Sequence, residues 1–197
     1  YLDTIIPYER TIETIVVKGI VVLLGLLVYT ELVRNRVPLF KRMFLSFDRP
    51  EDRPNTLLWL STQIVAGFMV LIPAILVFDA SGIIELIFIP ILIVAIGDGL
   101  AEPVGLRFGK HRYKTFALFS DVKYERSIEG SLCVFVTAIL TLLFFQPLFS
   151  PMEFILALAT LPIIMTLTEA YSPHTWDTPL LFIAGYTNLY LIKTIPI

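Results

Sequence analysis

Apolar and polar positions alternate along this chain in long blocks rather than residue by residue. Six apolar runs cover approximately Ile12–Val33, Thr56–Phe78, Gly82–Leu106, Ser127–Leu148, Glu153–Ala170 and Thr178–Ile195. Each reaches or nearly reaches the ~20 residues a helix needs to cross a hydrocarbon core of about 30 Å. Pro73, Pro90 and Pro162 lie inside three of the runs and predict kinks rather than ends. The pattern predicts an all-α polytopic membrane protein, a single integral membrane domain over residues 1–197 with about six transmembrane helices. The chain opens on Tyr1 rather than Met, so one or more helices are expected upstream.

Composition agrees with that class. Hydrophobic residues make up 56% of the chain and charged residues 16%, with a mean hydropathy of +0.81; soluble domains average about 25% charged. The net charge of −2 is too small to indicate a partner, and no nucleic acid is expected. The single cysteine, Cys133, sits in an apolar run and supports neither a disulfide framework nor a metal site.

The distribution of charge says more than its sum. The segment 34–55 carries Arg34, Arg36, Lys41, Arg42, Arg49 and Arg53, and the segment 107–126 carries Arg107, Lys110, Arg112, Lys114, Lys123 and Arg126. Together they hold 12 of the 15 Lys and Arg residues, while the turns near Asp79–Ser81 and Gln146–Met152 hold none. Six alternating spans put both basic loops on one side, which the positive-inside rule makes cytoplasmic. The expected location is an integral membrane protein, of the inner or plasma membrane in a prokaryote.

Against this background the run from Ile96 to Gly105 is out of place. Asp98 and Glu102 are four apart and share one helix face, with glycines at 97, 99 and 105. Carboxylates at a bilayer edge are costly unless a cation joins them. The topology brings Asp98, Glu102, Glu169 and Asp177 to the same surface, with Glu129 nearby. Mg²⁺ suits such a cluster because it takes oxygen ligands and is usually shared with substrate phosphates. Arg107, Lys110, Arg112, Lys123 and Arg126 supply cations, and Gly97, Gly99, Gly105 and Gly109 let backbone approach a ligand. Phosphoryl or nucleotidyl transfer at the interface is the chemistry this combination suggests.

Other residues read as ordinary. Asp79, Glu85 and Glu153 read as solvated boundaries and Asn188 as a bond across helices, while Glu31 with Arg34 is either an i,i+3 pair at a wet edge or leans into the site. His111 and His174 are too isolated to be ligands. Trp59, Trp176, Tyr171 and Tyr186 suit interface belts or helix packing.

Three motifs then resemble a known group. Gly97-Asp98-Gly99-Leu100-Ala101-Glu102-Pro103-Val104-Gly105, continuing through Arg107-Phe108-Gly109-Lys110, resembles the signature of the polyprenol kinase family. That family includes phytol kinase, dolichol kinase and CTP-dependent diacylglycerol kinase, and is distantly similar to phosphatidate cytidylyltransferase. Arg126-Ser127-Ile128-Glu129-Gly130-Ser131 resembles its second motif, and Glu169 followed by Asp177-Thr178-Pro179 its kinase-type ending. The motifs span a catalytic half of about residues 91–181. Three departures stand out: Glu102 where Asp is frequent, Arg126 where Lys is common, and Thr178 where Asn is usual.

The resemblance implies a membrane enzyme that uses CTP and Mg²⁺ to phosphorylate an isoprenoid alcohol (phytol, farnesol or polyprenol type) or diacylglycerol. Carried over residue by residue, Asp98, Glu102 and Glu169 are metal ligands, and Asp98, Glu129 and Asp177 are catalytic. Gly97, Gly105, Arg107, Lys110, Lys123, Arg126 and Ser127 bind the nucleotide. The partners implied are a lipid alcohol and a nucleotide, and the arrangement admits a homodimer. Two other readings stand beside it. A cytidylyltransferase making a CDP-lipid would use the same metal and nucleotide site. A transporter would need an inverted repeat or mid-span polar groups, for which Gln63 and Asn188 are thin support.

Overall fold

The computed structural model describes residues 12–46, 48, 50–117, 120–174 and 176–195. Arg49 of the first basic segment lies outside the described residues. The protein is mostly helical (80%), and it divides into two compact units, one ending at Ile72 and the other covering Pro73–Ile197.

In the first unit, α1 (Ile12–Leu26) runs through a 3₁₀ turn to Tyr29, followed by the short α2 (Glu31–Arg34) and α3 (Pro38–Leu45). The basic segment expected as a loop is therefore partly helical. Pro38 starts α3 because a missing N–H does no harm at a first helical position. Arg34 pairs with Glu31 at 3.4 Å, as the i,i+3 spacing predicts. The Asp48 carboxylate accepts from Arg53 Nε at 2.8 Å and Thr56 Oγ1 at 2.7 Å, tying the segment to the start of α4 (Thr56–Ala80).

The second unit follows from inside α4. A long helix, α5, spans Ile84–Phe108. Its middle, Ile93–Asp98, is a π-helix in which the Gly99 N–H reaches the Val94 carbonyl five residues back. Pi-helical turns of this kind occur frequently at functional sites. Next come strands β1 (Arg112–Ala117) and β2 (Ser120–Ser127), then helices α6 (Ile128–Phe144), α7 (Pro151–Tyr171) and α8 (Asp177–Thr194). The strands pair antiparallel, with Tyr113 opposite Arg126 and Thr115 opposite Tyr124, and a bulge between Thr115 and Ala117. The chain is mostly helical, as expected, but the second basic segment forms a two-stranded hairpin rather than a loop.

Helix α6 packs on α5 and α7, and α7 on α8. Leu86, Ile89, Ile93, Val134, Ala138, Leu142, Ala157, Leu161, Met165, Leu181 and Leu189 form the dry centre. Gly185 lets α8 close on both neighbours: a Cβ there would stand 3.0 Å from Met165 Sδ and from the Pro90 ring. Asn188 and Thr160 bond across α8 and α7 at 3.1 Å. At the far end Ser150 and Glu153 form a capping box. Lys193 reaches Glu153 at 2.8 Å, so Glu153 is more than a solvated boundary.

Three helices, α4, α5 and α7, are long and apolar enough to cross a membrane. Helix α6 has 17 residues, about 25 Å of rise. Helix α8 has 18, among them Tyr186, Thr187, Asn188 and Tyr190, which lower its hydropathy. Length and composition thus support three of the six expected spans.

Candidate functional site

Strict alternation along the hairpin decides which side chains meet the helices. Tyr113, Thr115, Tyr124 and Arg126 turn inward, while Arg112, Lys114, Lys123 and Glu125 are exposed. The inward face makes a series of contacts. Tyr113 Oη lies 2.6 Å from Ser131 Oγ on α6. Thr115 Oγ1 donates to the Ser172 carbonyl at 3.0 Å, and the His174 N–H donates to the Phe116 carbonyl at 2.7 Å. Tyr124 stacks on His174 with ring centroids 3.8 Å apart. The hairpin is thereby clamped onto the connection between α7 and α8.

Arg126 is the centre of this contact. Its Nη1 donates to Glu169 Oε1 at 2.7 Å and also to the Glu169 carbonyl; its Nη2 donates to Asp177 Oδ2 at 3.1 Å. The three side chains are 12%, 5% and 15% exposed, so water screens little of the attraction. Burial works against the guanidinium charge, but the fields of Asp177, Glu169 and Asp98 outweigh it and hold the Arg126 pKa above its ordinary value. Asp98, at the end of the π turn, therefore lies within electrostatic reach of Arg126. Burial raises the Tyr113 phenol, and its hydrogen bond with Ser131 opposes the rise. Glu169 Oε2 is buried with no hydrogen-bond partner among the described residues. Asp177 Oδ1 accepts from the Thr178 N–H at 2.9 Å.

Arg126, expected on phosphate, is committed to Glu169 and Asp177. Glu169, expected on metal, uses Oε1 for Arg126. Ser127 is the N-cap of α6, its Oγ accepting from the Gly130 N–H at 3.0 Å, and it is buried. The glycines pack closely on neighbouring elements. A Cβ at Gly105 would lie 2.7 Å from Ser127 Oγ, at Gly130 2.5 Å from the Ala101 carbonyl, and at Gly97 3.0 Å from Val134 Cα. Helices this close bring Gly97, next to Asp98, against Val134 and Thr137 of α6. Gly99 alone of the run faces open space, with no atom within 4 Å of where a Cβ would stand.

Glu129 is turned away from the Arg126 cluster. Its carboxylate accepts from the His111 backbone N–H at 3.3 Å and lies 2.8 Å from His111 Nδ1. His111 and His174, isolated in sequence, thus both take part in holding the hairpin. Arg107, Lys110, Lys123 and Glu102 are exposed, and Asp98 is half-buried. Among the described residues no three His, Cys, Asp or Glu side chains form a group that would hold a metal ion. The expected trio of Asp98, Glu102 and Glu169 is therefore not assembled as a protein cage. A pair of carboxylates one turn apart, Asp98 and Glu102, fits only an ion that takes its other ligands from substrate or water.

The chain matches no protein-family model, no curated protein and no solved structure.

Proposed function

We propose that the protein is a CTP-dependent lipid-alcohol kinase, an integral membrane protein of about six helices with its site at the cytoplasmic face. The observation that supports this reading is the meeting of three segments far apart in sequence. Gly105 packs on Ser127, Gly130 on Ala101, and Arg126 bonds Glu169 and Asp177. These are the same segments that resemble the polyprenol kinase motifs.

In this reading Asp98 and Glu102 would hold the Mg²⁺ ion together with the substrate nucleotide. The ion, when bound, offsets the charge on the transferring phosphate. Arg107, Lys110 and Lys123, all exposed, are the cations left to hold the triphosphate. Arg126 is a positioning residue: it fixes Glu169 and Asp177 and so joins α7 and α8 to the hairpin. The lipid hydroxyl attacks the γ-phosphorus, the bond from that phosphorus to the bridging oxygen breaks, and CDP leaves. Glu129 orients the lipid hydroxyl, and the hydroxyl proton leaves to solvent through His111, bonded to Glu129 at 2.8 Å. Asp177 is less suited, since its carboxylate is held in the ion pair with Arg126.

The test is product identity. Purified protein is incubated with labelled CTP, Mg²⁺ and a panel of isoprenoid alcohols, diacylglycerol and phosphatidate. CDP with a lipid monophosphate supports the proposal. Pyrophosphate with a CDP-lipid overturns it in favour of cytidylyl transfer.

A further inference from the structure

Helix α3 lies outside the site described above, and its surface is unlike that of the other helices. Its eight residues carry two adjacent apolar stripes. Phe44, on one, is buried: its ring is 6.0 Å from that of Tyr29, and the Arg34 guanidinium lies 4.0 Å over it. Leu39 and Met43, on the other, are four apart and 62% and 44% exposed. Lys41 and Arg42 project from the remaining sides, and Arg36 is exposed just before the helix. Residues 32–47 hold four cations and no acidic side chain.

The tethers on either side fix the level of this helix. Through Phe44 and Tyr29 it is held to the end of the apolar α1, and through Asp48, Arg53 and Thr56 its following segment is held to the start of α4. Helix α4 is long and apolar enough to span a membrane. A helix bound to both ends sits at the membrane surface rather than beyond it.

We infer that α3 lies in the plane of that surface, with Leu39 and Met43 in the acyl boundary and Arg36, Lys41 and Arg42 bound to anionic phospholipid headgroups. The charge decides the occupant: an exposed apolar pair alone fits any hydrophobic partner, but flanked by cations with no acid in the same stretch it fits an anionic leaflet. This inference is independent of the kinase reading, because nothing in it uses nucleotide or transfer.

The test uses the full chain in vesicles. A nitroxide is placed at Met43→Cys or Lys41→Cys in a Cys133→Ala background, and its accessibility to oxygen and to a water-soluble nickel chelate is measured. In vesicles containing phosphatidylglycerol the label at 43 is expected to favour oxygen and the label at 41 nickel. Association with spin-labelled phosphatidylglycerol is measured in parallel for Arg36→Gln, Lys41→Gln and Arg42→Gln. Each is expected to weaken it about fivefold. Nickel access at 43 equal to that at 41 overturns the inference, as does shielding of 43 from both reagents, which would indicate a protein partner. Unchanged phosphatidylglycerol association in the combined glutamine variant overturns the headgroup assignment. Retained helicity by circular dichroism distinguishes these outcomes from misfolding.

Discussion

Replacing Arg126 with Met isolates the contact on which the hairpin depends. The guanidinium makes two ion pairs, at 2.7 Å and 3.1 Å, and all three side chains are at most 15% exposed. Removing one partner from a buried ion pair costs about 3–5 kcal/mol, because the charges left behind have lost both water and counterion. For a chain of this length that corresponds to a fall of roughly 6–20 °C in Tm. Arg126→Lys keeps the charge but not the fork that reaches Glu169 and Asp177 together, so about 1.5–3 kcal/mol is expected to be lost. The combined variant Arg126→Met with Glu169→Met removes charges of opposite sign and is expected to recover part of the loss. A double-mutant cycle on thermal unfolding of the purified protein reads the coupling directly. A loss below ~1 kcal/mol for Arg126→Met, or no coupling to Glu169, would refute the reasoning.

Gly130→Ala pushes a methyl group to 2.5 Å from the Ala101 carbonyl, and overpacking of this kind is expected to cost about 1–3 kcal/mol in thermal unfolding. Gly99→Ala meets nothing within 4 Å, so the same assay is expected to show no loss, or a gain of about 0.4–1 kcal/mol. The raised Tyr113 pKa gives a pH effect: its stabilising share is complete below the unfolded phenol value near 10 and is lost as pH rises through the higher folded value. Alkaline difference spectra of the wild type and Tyr113→Phe should show one phenol titrating late. His111→Ala leaves Glu129 without its 2.8 Å partner and is expected to lower turnover with little change in Tm; equal turnover across pH would remove His111 from the proton path.

The helical frame was legible because apolar runs of ~20 residues have few other uses. The motif residues were legible because glycines and carboxylates are conspicuous in such runs. The hairpin was hidden by its own charge. Read for charge, 107–126 is a topogenic loop; read for period, Tyr113 and Thr115 alternate with Arg112 and Lys114, and Tyr124 and Arg126 with Lys123 and Glu125. The close packing at the glycines was hidden for a related reason. Spacing alone does not say whether backbone approaches a ligand or a neighbouring helix, and Gly97, Gly105 and Gly130 do the latter. The pairing of Arg126 with residues 43 and 51 positions away is a tertiary fact without a local signal. The π turn before Asp98 likewise has no sequence period of its own.

The proposed function gives Asp98 a part in nucleotide-dependent transfer to a lipid hydroxyl. It is tested most directly by comparing the wild type with Asp98→Asn for Mg²⁺-dependent conversion of labelled CTP and an isoprenoid alcohol, with Tm measured on both. The account predicts CDP and lipid monophosphate from the wild type, and loss of turnover in the variant at nearly unchanged Tm. Near-normal turnover in Asp98→Asn, or no lipid phosphate from the wild type across the alcohol panel, would contradict it.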